Sequence, residues 1–161
     1  MNKGNTKFSL TINIKREDEK ALVYYKQDGQ RFESNCTIKM NVETPYKFLI
    51  SFRPALKLKS GSLKNSGLEL KEESFTPEAS SYTLFWTSHE VCISKSKGRD
   101  RFPLSLNVGD MGTLDVQLQC KFYGADDKSH CLWGNELHHI EYECNYKSDT
   151  LSYDIVKEVF R

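Results

Sequence analysis

Phe8, Leu10, Ile12 and Ile14 alternate with polar residues, the period-two signature of a strand with one buried face. The charged run 15–20 predicts a turn, and Ala21–Gln27 is β-branched and aromatic enough for a second strand. Asp28-Gly29 accepts positive φ and predicts a tight hairpin after it. Alternation resumes from Cys36 to Val42 through Ile38 and Met40, breaks at Thr44-Pro45, and returns in Tyr46, Phe48, Ile50 and Phe52, where Pro54 ends it. Leu56 and Leu58, then Leu68 and Leu70, suggest two short strands around a loop from Gly61 to Gly67. Ser81–Ser88 sets Tyr82, Leu84 and Trp86 on one face against Thr83, Phe85 and Thr87 on the other. After a polar loop at 94–100, Leu104, Leu106 and Val108 lead into a turn at 109–112. The longest alternation follows: Leu114, Val116, Leu118, Cys120 and Phe122.

Lys121–Cys144 reads as a hairpin, two strands flanking a loop that is acidic at its start and aromatic at its end, with Ile140 and Tyr142 pointing inward on the return. In the tail, Leu151, Ile155 and Val159 fit a helix while Leu151, Tyr153 and Ile155 fit a strand, and a strand through Val156 is favoured. Nothing before residue 148 sustains a helical period. Many short strands with turns every 8–12 residues predict an all-β chain, a single antiparallel β-sandwich or flattened barrel spanning 1–161.

At 161 residues the chain is long enough to bury roughly 70% of its unfolded surface, so a core can form without disulfides or metal. Its 23 basic and 22 acidic side chains nearly cancel, which gives no overall pull toward nucleic acid. Lys95, Lys97, Arg99 and Arg101, diluted by Gly98 and Asp100, read as a solvated loop. No apolar run reaches the ~20 residues of a membrane span, and neither a signal peptide nor a lipidation motif is visible. A cytoplasmic protein is the expectation, which leaves the acceptor pattern Asn35-Cys36-Thr37 without meaning. Cys36, Cys92, Cys120, Cys131 and Cys144, odd in number and scattered, read as reduced thiols.

Candidate chemistry is sparse. His130, Cys131, His138, His139 and Cys144 are metal-ligand types, but adjacent residues on a strand point to opposite faces and the spacing fits no tetrahedral template. Cys131 beside His130 supplies a nucleophile and a base without the geometry that would orient one on the other. Asp126 and Asp127 read as turn formers that bond their own backbone. No phosphate loop or nucleotide fingerprint is present, so neither an enzyme nor a cofactor is expected. The nine Phe, eight Tyr and two Trp suit a filled core. A lipid-sized cavity between two sheets would be lined by the same residue types.

Two segments carry a resemblance. Tyr25-Lys26-Gln27-Asp28-Gly29-Gln30-Arg31-Phe32 with Thr37-Ile38-Lys39 resembles a hairpin of the cannabinoid receptor-interacting proteins. Lys121-Phe122-Tyr123, His130-Cys131-Leu132-Trp133-Gly134 and Ile140-Glu141-Tyr142-Glu143-Cys144 resemble that family's C-terminal region. More distantly, Tyr46–Arg53 and Asp126-Asp127-Lys128 with His130, Leu132 and Trp133 are similar to segments of the Rho GDP-dissociation inhibitors, whose immunoglobulin-like sandwich parts to hold a prenyl chain. The first resemblance implies a non-enzymatic adaptor that binds the cytoplasmic tail of a G-protein-coupled receptor and modulates its signalling. Asp28, Gln30, Arg31, Phe32, Asp126, Asp127 and Trp133 are the partner-binding candidates, and an unpaired edge strand offers one route to an extended peptide. The second implies an alternative, a lipid- or prenyl-binding regulator of small GTPases in membrane trafficking, with Phe48, Ile50, Leu118 and Phe122 against the chain.

Overall fold

The computed structural model describes residues 5–18, 22–29, 35–95, 98–109 and 112–161, and these contain strands but no helix. In chain order the strands are β1 (Asn5–Arg16), β2 (Val23–Gln27), β3 (Cys36–Asn41), β4 (Pro45–Arg53), β5 (Leu58–Leu63), β6 (Ser66–Gly67), β7 (Glu69–Phe75), β8 (Ser80–Thr87), β9 (Asp100–Val108), β10 (Thr113–Tyr123), β11 (Asn135–Leu137), β12 (Ile140–Lys147) and β13 (Ser152–Phe160). They form two sheets that do not close into a barrel. One is antiparallel throughout in the order β13-β12-β1-β4-β8-β7. The other runs β11-β2-β3-β10-β9-β5-β6 and is antiparallel except where β3 lies parallel to β10.

The alternation in sequence is the alternation in space. Leu10, Ile12 and Ile14 of β1 are fully buried, as are Ile50 and Phe52 of β4 beside them. The pairing Leu10↔Phe52, Ile12↔Ile50, Ile14↔Phe48 sets like against like. Burying each such side chain contributes about 1.5–3 kcal/mol. A one-residue slip would turn the whole set outward, so the core face fixes the register. From the other sheet come Ile38, Met40, Leu104, Leu106, Val116 and Phe122, each at most 1% exposed.

Several expectations need correction. The run 15–20 is not all turn: β1 continues through Lys15 and Arg16, because the Arg16 guanidinium finds Asn41 Oδ1 at 2.9 Å and Asp18 at 3.0 Å. Asp28-Gly29 is not a tight hairpin, since the last pair of the β2–β3 ladder is Gln27↔Cys36 and the connection spans 28–35. The Asp28 carboxylate is taken up by Thr37 and Arg99 instead of closing a local turn. Gly61–Gly67 is mostly strand: the turn is Lys64-Asn65, both at positive φ (49° and 68°), which joins β5 to β6. Gly61 sits inside β5 because a Cβ there would lie 2.8 Å from Leu84 Cδ1. The two strands within 121–144 are not a hairpin, for β10 and β12 belong to different sheets and the intervening chain crosses between them, laying down β11 on the way. The tail strand runs past Val156 to Phe160.

Candidate functional site

Site geometry starts at β3, whose six residues are all buried although they alternate between apolar and polar. Ile38 and Met40 face the core. Thr37, Lys39 and Asn41 face away from it, yet are 1%, 7% and 0% exposed. What covers them is polar loop, and each of the three meets different partners.

At the lower end, Thr37 Oγ1 donates to the Asp28 carboxylate, which pairs with Arg99 Nη2 at 3.0 Å, while Arg99 Nε donates to Thr37 Oγ1 at 3.0 Å. Gln119 Nε2 donates to the same hydroxyl at 2.9 Å. The Asp28 and Arg99 side chains are 0% and 8% exposed. Burial alone would raise the Asp28 carboxyl, but the bonds from Arg99 and Thr37, with the charges of Arg99 and Lys26, hold it below its ordinary value. Arg99 is therefore not part of a solvated basic loop: it is the buried counter-charge that ties residues 98–99 to β3.

At the upper end, Asn41 Nδ2 donates to the carbonyls of Gly124 (2.8 Å) and Asp127 (3.2 Å), and Asn41 Oδ1 accepts from Arg16 and, at 3.1 Å, from Cys131 Sγ. Asp127 Oδ1 accepts from the backbone N–H groups of Ser129 (3.0 Å) and Cys131 (3.2 Å), closing the loop on itself as an Asx turn does. Between the two ends, Lys39 Nζ donates to the carbonyl of His130 at 3.1 Å and to that of Trp133. Desolvation first, then the charges of Lys26, Lys121 and Arg99, lower the Lys39 pKa. Gly134 follows at φ 123°, where a Cβ would come within 2.8 Å of Tyr25 O. Only glycine lets the chain pass that close to β2 before Asn135↔Tyr25 begins the next ladder.

Bolted down from beneath, the loop 124–134 presents Trp133 at 74% exposure. Lys39 Nζ lies 6.0 Å from the centroids of both Trp133 and Tyr123, and the Tyr123 ring stacks on His130 with 5° between planes. A large aromatic side chain held out from a rigid backbone is what a protein-docking surface needs, because little entropy is left to lose on binding.

Of the partner-binding candidates, Asp127 and Trp133 share this loop with the exposed Asp126. Asp28 lies below it on the same side of the sheet, but as an internal anchor with no exposed carboxylate. Gln30, Arg31 and Phe32 lie outside the described residues. Lys39 and Asn41 were missed in sequence because their alternation with apolar residues gives them the pattern of a wet face, and Arg99 because it sits in a polar run with Lys95, Lys97 and Arg101. Phe48, Ile50 and Phe122 are in the filled core at 1%, 0% and 0% exposure, with Phe48 and Phe122 edge-on to Trp86. Leu118 is also buried, at one wall of a cleft of about 330 Å³. A larger cleft of about 790 Å³, floored by Phe85, Trp86 and Phe102, takes in none of the four.

Cys131 is buried and its thiol pushed up to about 11, chiefly by desolvation, which leaves it a weak nucleophile at neutral pH. The imidazole of His130 turns away toward Asp127, 3.5 Å distant. All five cysteines are free, with only Cys92 exposed. Among the described residues no group of three or more His, Cys, Asp or Glu side chains gathers where a metal ion could be held.

Relatives match the chain over most of its length. The family model for CB1 cannabinoid receptor-interacting protein 1 matches residues 4–160. The CB1 cannabinoid receptor-interacting protein 1 of Bos taurus is 32% identical over 144 residues, covering 88% of this chain and 87% of its own. Those of Homo sapiens and Mus musculus are 32% identical over 145 residues with the same coverage. A match of that length takes in both sheets and the clamped loop alike, and the chain belongs to the CB1 cannabinoid receptor-interacting protein 1 family.

Proposed function

We propose that this chain is a non-enzymatic adaptor that binds the cytoplasmic tail of a cannabinoid-type, G-protein-coupled receptor and modulates its signalling from the cytoplasmic side of the membrane. The family's name supports a receptor as the class of partner. The observation that carries the reading to a place on the molecule is Trp133, 74% exposed on a loop whose backbone is pinned by Lys39 and Asn41. A tail peptide laying an apolar residue against that ring would bury it with little reordering of the protein.

Side-chain docking fits the molecule better than strand addition at the sheet margins. Both margins of the first sheet carry bulges, at Glu73 of β7 and Val156 of β13, which twist a strand away from pairing. The margins of the second sheet, β6 and β11, are two and three residues long. Titrating a receptor-tail peptide against wild type and Trp133→Ala tests the proposal. The variant is expected to bind about 30-fold more weakly, the effect of a hot-spot aromatic. Superimposable isotherms would remove this surface as the docking site.

A further inference from the structure

The outward side of the first sheet gathers positive charge on its middle strands. Lys7 and Lys15 of β1, with Lys47 and Arg53 of β4, occupy positions that alternate with the buried series Phe8–Ile14 and Phe48–Phe52. The outward positions of β1, β4 and β8, neighbours in that order, hold no acid. Among the described residues, none of the four side chains forms a hydrogen bond or an ion pair. Lys15 and Lys47 stand directly opposite each other. That places their Cβ atoms about 5 Å apart, and like charges so placed are destabilising. A negatively charged partner outside the chain turns that cost into an attraction.

The flanking strands leave most of this charge standing. Glu73 of β7 accepts from Thr83 at 2.6 Å and pairs with Lys71 at 3.6 Å, and Lys47 adds only the last of the influences that lower its carboxyl. Glu69 is separated from Lys47 by β8, since both stand opposite Phe85. On the other flank, Glu141 pairs with Arg161 at 2.8 Å, Asp154 with Lys147 at 2.6 Å, and Glu143 stands opposite Lys157. The four cations sit at two ends of the face, Lys15 with Lys47 and Lys7 with Arg53. At about 3.3 Å per residue, Lys47 and Arg53 are about 20 Å apart, and the open ladder between them carries short polar residues around Leu49. A single acidic chain needs a continuous track of cations. Two cationic ends joined by an open sheet face fit a broad layer of negative charge instead. The whole chain is nearly neutral at +1, and charges more than about 10 Å away are screened at 0.1 M salt, so attraction depends on which side is presented.

We propose that the outward face of β1, β4 and β8 lies against an anionic phospholipid surface, with Lys7, Lys15, Lys47 and Arg53 on the headgroup phosphates and carboxylates. The Trp133 loop covers the outward side of the other sheet, so it points away from the bilayer and stays open to a partner. The lipid contact is independent of the receptor-tail reading.

The test is co-sedimentation of the full chain with vesicles of phosphatidylcholine alone and with 30% phosphatidylserine, at about 0.1 M salt. Partition onto the anionic vesicles is expected to be at least tenfold stronger and to fall as salt rises. One Lys or Arg near such a surface contributes about fivefold, so Lys15→Gln with Lys47→Gln should weaken partition about 25-fold. Lys7→Gln with Arg53→Gln, at the other end of the face, should act alike and decides the matter if the first pair does not fold. Lys95→Gln with Lys128→Gln lowers the net charge equally away from the face and should change partition less than twofold, as should Trp133→Ala. Equal partition onto both vesicles, or a loss no larger for the face variants than for the control pair, would overturn the proposal. Tighter capture by soluble poly-glutamate or duplex DNA than by anionic vesicles would overturn it too, in favour of an acidic macromolecule.

Discussion

Strands β3 and β4 carry the same kind of sequence and have different surroundings. In β4 the inward residues Tyr46, Phe48, Ile50 and Phe52 are at most 1% exposed, while Lys47, Leu49 and Ser51 between them stay half exposed. In β3 the inward Ile38 and Met40 alternate with Thr37, Lys39 and Asn41, and all of them are buried. The outward face of β4 meets solvent, whereas that of β3 meets the loop 124–134 and residues 98–99, which reach it through hydrogen bonds and one ion pair. The difference shows how a sandwich builds a rigid projecting loop: a second, polar interior is laid over one strand, and the loop is fastened to it.

The strongest way to break the contrast is to remove one half of the buried ion pair. Asp28→Ala leaves the Arg99 guanidinium, 8% exposed, without its carboxylate. An uncompensated buried charge of that kind costs about 3–5 kcal/mol, to be read as a lower midpoint in urea unfolding at neutral pH. The pH dependence follows in sign. Because Asp28 is held below its ordinary 3.8 in the folded state, its stabilising effect is complete above that value and fades as pH falls through the lower folded value. Asp28→Asn should therefore be destabilised at pH 7 and lose less than wild type on acidification below 3.8. Equal acid limbs would show that Asp28 does not carry the acid sensitivity.

Substitution at the upper anchor should cost less and be felt more locally. Asn41→Ala strips the Gly124 and Asp127 carbonyls of a donor and Arg16 of one acceptor. Leaving such groups unsatisfied is expected to cost about 2–3 kcal/mol, with faster proteolysis within 124–134 than elsewhere. Gly134→Ala acts on the same loop through its backbone, forcing a Cβ to within 2.8 Å of Tyr25 O at φ 123°. Strain of that kind costs about 1–3 kcal/mol. It should also lower receptor-tail affinity without touching Trp133. A Gly134→Ala protein of wild-type stability and affinity would mean the close approach to β2 is not what sets the loop.

Sequence pattern was enough for the fold class because inward faces are greasy and alternate: the buried faces of β1 and β4 could be anticipated from Leu10, Ile12, Ile14, Phe48, Ile50 and Phe52, although not that the two strands are neighbours. It was not enough for the site. Alternation reports which side of a strand is apolar and says nothing of whether the other side is wet, so Lys39 and Asn41 had the look of ordinary surface. Arg99 was hidden in the same way among Lys95, Lys97 and Arg101, since its buried partner is 71 residues away in the chain. Trp133 was legible, because a tryptophan in a loop between acidic and polar residues has no neighbouring alternation to bury it. The assignment of β10 and β12 to different sheets was not, because the chain between them is long enough either to turn back or to cross.

A matched pair of conservative substitutions sharpens the comparison at the smallest expected effect. Lys39→Met and Lys47→Met remove the same ammonium group from the outward faces of β3 and β4. At Lys39 the carbonyls of His130 and Trp133 lose their donor, and methionine, which fills the space, cannot replace it. The expected cost is about 1–2 kcal/mol, accompanied by a change in Trp133 emission as the ring loses its anchored backbone. At Lys47, half exposed, the cost should stay within about 0.5 kcal/mol. If the two substitutions cost the same, the loop over β3 is resting on the strand and is not held by it, and the rigidity on which the proposed docking role of Trp133 rests would have to come from Asn41 alone.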